Sequence, residues 1–143
     1  MIGGPRGSLI VPFAFDWYFL AGDETALPAI ARRLEELPQG AKAVAVIEVA
    51  DAGEEQPIAT RADLALTWVH RNGAPAGTGT QLLDAVAALG TLPQGDAYGF
   101  IAGEANAARA LRAHLVEVRG FNPEWVKAAG YWLLGVADAH EPH

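Results

Sequence analysis

The chain has 143 residues, 51% apolar and 19% charged, which suits one globular domain around a single core. Its net charge of −7 argues against a nucleic-acid binder, because contacts to a phosphate backbone are carried by clustered Lys and Arg. The absence of cysteine excludes disulfides, thiol nucleophiles and cysteine-ligated iron–sulfur clusters, and the single serine, Ser8, argues against serine-hydrolase chemistry.

Residues 1–12 read as a leader, punctuated by Gly3, Gly4, Pro5, Gly7 and Pro12. They lack the sustained apolar core and cleavage site of a signal peptide. No apolar run approaches the roughly 18 residues of a membrane span, so no membrane partner is expected and the cytoplasm is the default location. "FAFDWYFLAG" reads as a buried strand that ends on a glycine. Leu27, Ile30, Leu34 and Leu37 then step by three, four and three, which predicts an amphipathic helix closed by "LPQG". Pro28 suits its first turn, where a missing N–H costs no helical bond.

"KAVAVIEV" (Lys42 to Val49) is a second buried strand, "ADAGEEQP" an acidic loop and "ADLALTWVH" a third strand. The turn cluster "RNGAPAGTG" leads into a short helix, "QLLDAVAAL", with Leu82, Val86 and Leu89 on one side. "AYGFIAG" is a fourth strand. The helix after it carries Ala108, Leu111, Leu115 and Val118 as its stripe and stops at Gly120. Asn122 and Pro123 suit an N-cap and first position of a short helical turn, and "AAGYWLLGVA" is a fifth strand before a tail at 139–143. Strands alternating with helices predict a mostly parallel sheet covered on both faces. Such sheets bind ligands beyond the carboxyl ends of their strands. Here those ends are Gly22 to Thr25, Glu48 to Asp51, His70 to Gly73, and Gly103 with Glu104.

Two readings meet at these ends. Asp23, Glu24 and Thr25 suit capping of the following helix, and Glu104 suits the same role in a later one. The turn after Gly22 lacks the G-x-G-x-x-G pattern, and two carboxylates there would repel a pyrophosphate. His70 and Arg71 suit a solvated loop start, or a cation pair that holds a ribose phosphate through the guanidinium fork. Glu48 and Asp84 are acids with no nucleophile paired to them. His140 and His143 lie in the tail without spaced partners, so no metal site is expected.

The strings "GPRGSLIVP" and "FDWYFLAGDETALPAIARRLEELP" resemble the siderophore-interacting protein family. The likeness continues through "AVIEVAD", "TWVHRNGAPAG" and "AGEANAARALRAHL" to "GYW", covering almost the whole chain. These are flavin-dependent, NAD(P)H-using ferric-siderophore reductases related to the ferredoxin-reductase superfamily. The resemblance implies an α/β domain over residues 13–138, a three-layer fold around a parallel five-stranded sheet of order 3-2-1-4-5. It implies that the turn from Gly22 to Pro28 receives NADPH or NADH, with Thr25 supplying a hydroxyl and Asp23 and Glu24 lying near the nicotinamide side. It also implies that His70 and Arg71 read a 2′-phosphate, that Gly103 and Glu104 lie beside the nicotinamide, and that Tyr131 and Trp132 face the substrate.

Two departures from the family pattern carry further expectations. The family joins a flavin-binding β-barrel to this nucleotide domain, and this chain starts at the junction, so FAD is expected only through a separate barrel partner. Family members carry basic residues after "GYW", where this chain has Leu133 and Leu134. The implied function is therefore the NAD(P)H-binding component of a ferric-siderophore reductase, with the ferric siderophore as indirect substrate. The alternative is a non-catalytic nucleotide-binding or protein-interaction module of the same descent. Apolar Leu9, Ile10, Val11 and Phe13, with "YWLLGV", point to a homodimer or to the barrel partner as what covers them.

Overall fold

The computed structural model describes residues 15–77 and 79–135. Five strands carry the fold: β1 (Trp17–Asp23), β2 (Lys42–Val49), β3 (Asp63–His70), β4 (Ala97–Glu104) and β5 (Val126–Trp132). Three helices connect them: α1 (Leu27–Glu36), α2 (Gln81–Ala87) and α3 (Ala105–Glu117). All strand pairings are parallel and the order is β3-β2-β1-β4-β5, as the resemblance implies.

Burial explains the arrangement. All seven residues of β1 are buried, as are Ala43 to Val49 of β2, so neither strand has a solvent face and both read as apolar runs up to the carboxylates near their ends, Asp23 and Glu48. Alternate residues serve opposite sides of the sheet. Tyr18, Leu20, Ala45, Ile47 and Phe100 pack with Leu27, Ile30 and Leu34 of α1. Phe19, Val46 and Ile101 pack with Leu82 and Val86 of α2 and with Leu111 and Leu115 of α3. The link from β2 to β3 has no α-helix, only a 3-10 turn at Ala52–Glu54. Correspondingly, β3 alternates between exposed and half-buried residues over most of its length.

Most predicted elements stand within a few residues of their expected bounds, and Asn122 caps a 3-10 turn at Pro123–Trp125 by accepting from the Glu124 N–H at 2.9 Å. Three differ. β1 starts at Trp17 rather than Phe13, which lies outside the described residues. β5 starts at Val126 and ends at Trp132, and the expected strand residues Leu133 and Leu134 lead into a turn. Val118 does not join the stripe of α3: it follows the last helical residue and is 69% exposed. The leader (1–12), with Leu9, Ile10 and Val11, and the tail (139–143) lie outside the described residues. Among the described residues, no helix is long and apolar enough to cross a membrane.

Candidate functional site

The carboxyl ends of the strands gather five ionisable side chains and one indole. Asp23, the last residue of β1, is the node. Its Oδ1 accepts from the Thr25 N–H at 2.9 Å and from the Thr25 hydroxyl. Its Oδ2 accepts from the Glu104 N–H and from the Trp132 indole N–H, each at 3.0 Å. One carboxylate therefore ties together β1, β4 and β5. The backbone makes this approach feasible at Gly103, where φ is +146° and an added Cβ would lie 2.7 Å from Asp23 Oδ2. No side chain caps α1, which starts after Ala26, so the expected capping by Asp23, Glu24 and Thr25 is replaced by this local turn.

Glu104 does cap its helix. Its Oε1 accepts from the Ala107 N–H at 2.8 Å, and its Oε2 accepts from the Leu134 N–H at 3.2 Å. Burial alone would push this carboxyl up. The N–H groups of Ala107, Leu134 and Asn106, with the nearby Arg109 charge, outweigh burial and hold it below the usual carboxylate range.

Arg71 follows β3 and reaches back over the ends of β1 and β2. Its Nη1 and Nη2 donate to the two oxygens of Glu24 at 2.6 and 3.1 Å, a bidentate fork. Nη1 also donates to Glu48 Oε2 at 3.4 Å. The Arg71 side chain is only 8% exposed, Glu48 10% and Glu24 42%, so the inner part of this cluster is dry and its outer carboxylate is wet. Hydrogen bonding to the Glu24 carboxylate is the main influence that holds Arg71 protonated more firmly than an ordinary arginine. Burial raises the Glu48 carboxyl, with the Asp23 and Glu24 charges adding to the rise and Arg71 opposing it. His70 turns elsewhere: its Nε2 meets Glu55 at 2.6 Å, so His70 and Arg71 do not act as one cation pair.

A cavity of about 220 Å³ opens between this cluster and helices α2 and α3, lined by Asp23, Glu48, Gly77, Leu82, Glu104 and Leu111 among others. Its lip is the loop after Arg71, which Asn72 (φ +50°), Gly73 and Gly77 turn through the left-handed region. At Gly77 an added Cβ would lie 2.7 Å from the Trp132 ring, so only glycine lets the loop rest on that indole. Of the predicted site residues, Gly22, Asp23, Glu24, Thr25, Arg71, Gly103, Glu104 and Trp132 share this end of the sheet. Tyr131 does not: it is 43% exposed and lines a separate cleft with Pro28, Ala29, Arg32 and Arg33. Sequence reasoning placed no role on Gly77 and found no partner for Glu48. The parallel register, which sets Glu48 beside Asp23, supplies that partner through Arg71. A larger cavity of about 590 Å³ lies at the opposite end of the sheet, beside Trp17 and Ala97. Its one arginine, Arg119, is committed to carbonyls of Val86, Leu89 and their neighbours.

A family model described as "Siderophore-interacting protein" matches residues 15–135. A protein of Mycobacterium tuberculosis, described as uncharacterized, is 38% identical over 141 residues, covering 92% of this chain and 50% of its own length. The NADPH-dependent ferric-chelate reductase of Escherichia coli is 30% identical over 134 residues, with 92% and 50% covered. Among solved structures, a siderophore utilization protein from T. fusca superimposes with a TM-score of 0.76 at 44% identity, over 85% of this chain and 46% of that one. The chain thus spans about half the length of the curated relatives it matches.

Proposed function

Because the chain belongs to the siderophore-interacting protein family, we propose that it binds a nicotinamide nucleotide at the carboxyl ends of its strands. It would present that nucleotide to a flavin held by a barrel domain, in the reduction of ferric siderophores. The ferric-chelate reductase among its relatives supports this reading. So does the position of the cavity, where open parallel sheets take their ligands.

The residues suit a nucleotide unevenly, and the unevenness orients it. The N-terminus of α3 is filled by the chain's own Glu104 carboxylate, so it offers a phosphate nothing. Asp23 is spent on four donors. Glu48 gives one oxygen to Arg71 and lines the cavity, which suits it to accept from a ribose hydroxyl. Arg71, whose fork Glu24 fills, would meet a phosphate that took the place of that carboxylate. The reduced nicotinamide would supply the hydride when bound. The chain's part is to hold the nucleotide, with the Gly77 loop and the Trp132 indole forming one wall against water. Trp132 would serve here as part of that wall, and Tyr131 lines a separate cleft. Exposed Leu133 and Leu134 beside β5 would face the barrel partner or a second copy of the chain.

The single observation that carries the reading is the nearly dry Arg71 guanidinium, hydrogen-bonded to Glu48 in the wall of the strand-end cavity. Calorimetric titration of NADPH and NADH into wild type and Arg71→Ala tests it. The substitution should cost NADPH about 1.5–3 kcal/mol, the worth of a charge-assisted contact, and cost NADH less. Two nucleotides bound equally, and equally by the variant, would remove the assignment.

A further inference from the structure

The Arg71 fork is already full. Glu24 occupies it with both oxygens, in the planar two-bond geometry that a phosphate would use. We propose that Glu24 is the specificity-determining residue of this site, an internal stand-in for phosphate that a 2′-phosphorylated nucleotide must displace and an unphosphorylated one leaves in place. The proposal rests on the nucleotide-binding reading above.

Three features make Glu24 the carboxylate that yields. Its side chain is the most exposed of the cluster at 42%, so water receives it when it swings out. Its backbone is fixed on both sides. Asp23 is held by four donors, and the carbonyls of Asp23 and Glu24 accept from the Ala26 and Leu27 N–H groups at 3.0 and 3.3 Å. Release is therefore a side-chain rotation and leaves the turn intact. Glu48, in contrast, sits 10% exposed at the end of a buried strand and stays. It keeps a counter-charge on Arg71 throughout the exchange, so no uncompensated cation is left in a dry site.

The consequence is a selectivity set by exchange. A 2′-phosphate brings oxygens to replace those of Glu24, and an unmodified ribose brings none. Apparent affinity for the phosphorylated nucleotide is lowered by the fraction of time that Glu24 holds the fork. Removing the Glu24 carboxylate should therefore raise affinity for NADPH selectively, whereas losing only the repulsion felt by the pyrophosphate common to both nucleotides would raise both together.

The test uses the full chain and the variants Glu24→Gln and Glu24→Ala, whose folding is checked by thermal melting, with Arg71→Ala beside them. Binding of NADPH and NADH is measured by calorimetry at fixed salt. The expected result is a rise of about tenfold in the NADPH-to-NADH affinity ratio for both Glu24 variants, the size of one charge-assisted contact. A ratio unchanged in both, while Arg71→Ala still lowers it, overturns the exchange and leaves the nucleotide site standing. Failure of every protein to bind either nucleotide overturns both readings. A parallel rise for both nucleotides also overturns the exchange, because it needs only the net charge of Glu24.

Discussion

Glu104 and Glu48 lie at the carboxyl ends of β4 and β2, on either side of β1, and their surroundings push them in opposite directions. Glu104 titrates below its ordinary value of 4.5 because N–H groups converge on it. Its folded pKa lies under its unfolded one, so the stability it contributes is present above about pH 4.5 and is lost as pH falls through the folded value. Glu104→Gln keeps one carbonyl but turns an NH₂ toward one of two backbone donors. It should cost about 1–3 kcal/mol at neutral pH, the penalty of an unpaired buried N–H. Urea denaturation of both proteins across a pH series checks this: the gap should narrow as the pH drops below 4.5. Glu48 runs the other way. Its folded pKa is raised by burial, so its contribution is complete below pH 4.5 and declines as pH rises through the folded value. The capping role of Glu104 was legible in sequence, since an acid before a helix has a local job. The partner of Arg71 was not, because Glu24 lies 47 residues away and only the β3-β2-β1 order brings the two together.

At the scale of elements, the junction of β1, β4 and α1 depends on an absent side chain. A methyl group on Gly22 would run into the Ala102 carbonyl oxygen and lie 2.9 Å from the Ala26 Cβ and 3.1 Å from Ile30 Cδ1. Gly22→Ala should therefore destabilise by about 1–3 kcal/mol, the usual cost of overpacking a close-packed interior. Gly90→Ala, at an ordinary φ with nothing within 4 Å, should stay within about 0.5 kcal/mol of wild type. Differential scanning calorimetry of the two variants separates close approach from the general effect of replacing a glycine. The elements themselves were legible because the strands are apolar runs or, in β3, an alternating stretch, bounded by turn residues. β2 needed no adjustment, being buried on both faces and flanked by polar loops. The ends of β5 and α3 were misjudged for one reason. Leu133, Leu134 and Val118 are apolar but exposed, and hydrophobicity marks burial only when something is there to bury against. Strand order came from family resemblance, because parallel pairing is non-local and periodicity is silent about it.

Among the described residues the sheet has two terminal strands, β3 and β5. On β5 and just after it, Tyr131, Leu133 and Leu134 are 43%, 36% and 43% exposed. Covering some 500 Å² of such apolar surface would gross roughly 12 kcal/mol at 25 cal/mol per Å², before the costs of association. The chain should accordingly form a dimer, or a complex with the barrel partner, through this edge. Light scattering during size-exclusion chromatography reads the outcome. Leu133→Lys with Leu134→Lys should return a dimer to monomer, and a dimer that survives uses another face. A wild-type chain that stays monomeric at high concentration, and does not bind the barrel, would remove this surface from consideration.

The complete burial of β1 has a consequence for motion. Hydrogen-bonded to a strand on either side and covered by helices above and below, its amides can exchange with solvent only when the entire domain opens. The loop from Asn72 to Gly77 hangs from the half-exposed strand β3, where smaller openings suffice. Asp23 thus belongs to the slowest-breathing part of the chain, and Gly77, across the same cavity, to a faster one. A ligand entering between them meets one immovable wall and one that can give, so its arrival and departure are timed by the loop and its orientation is fixed by the strand.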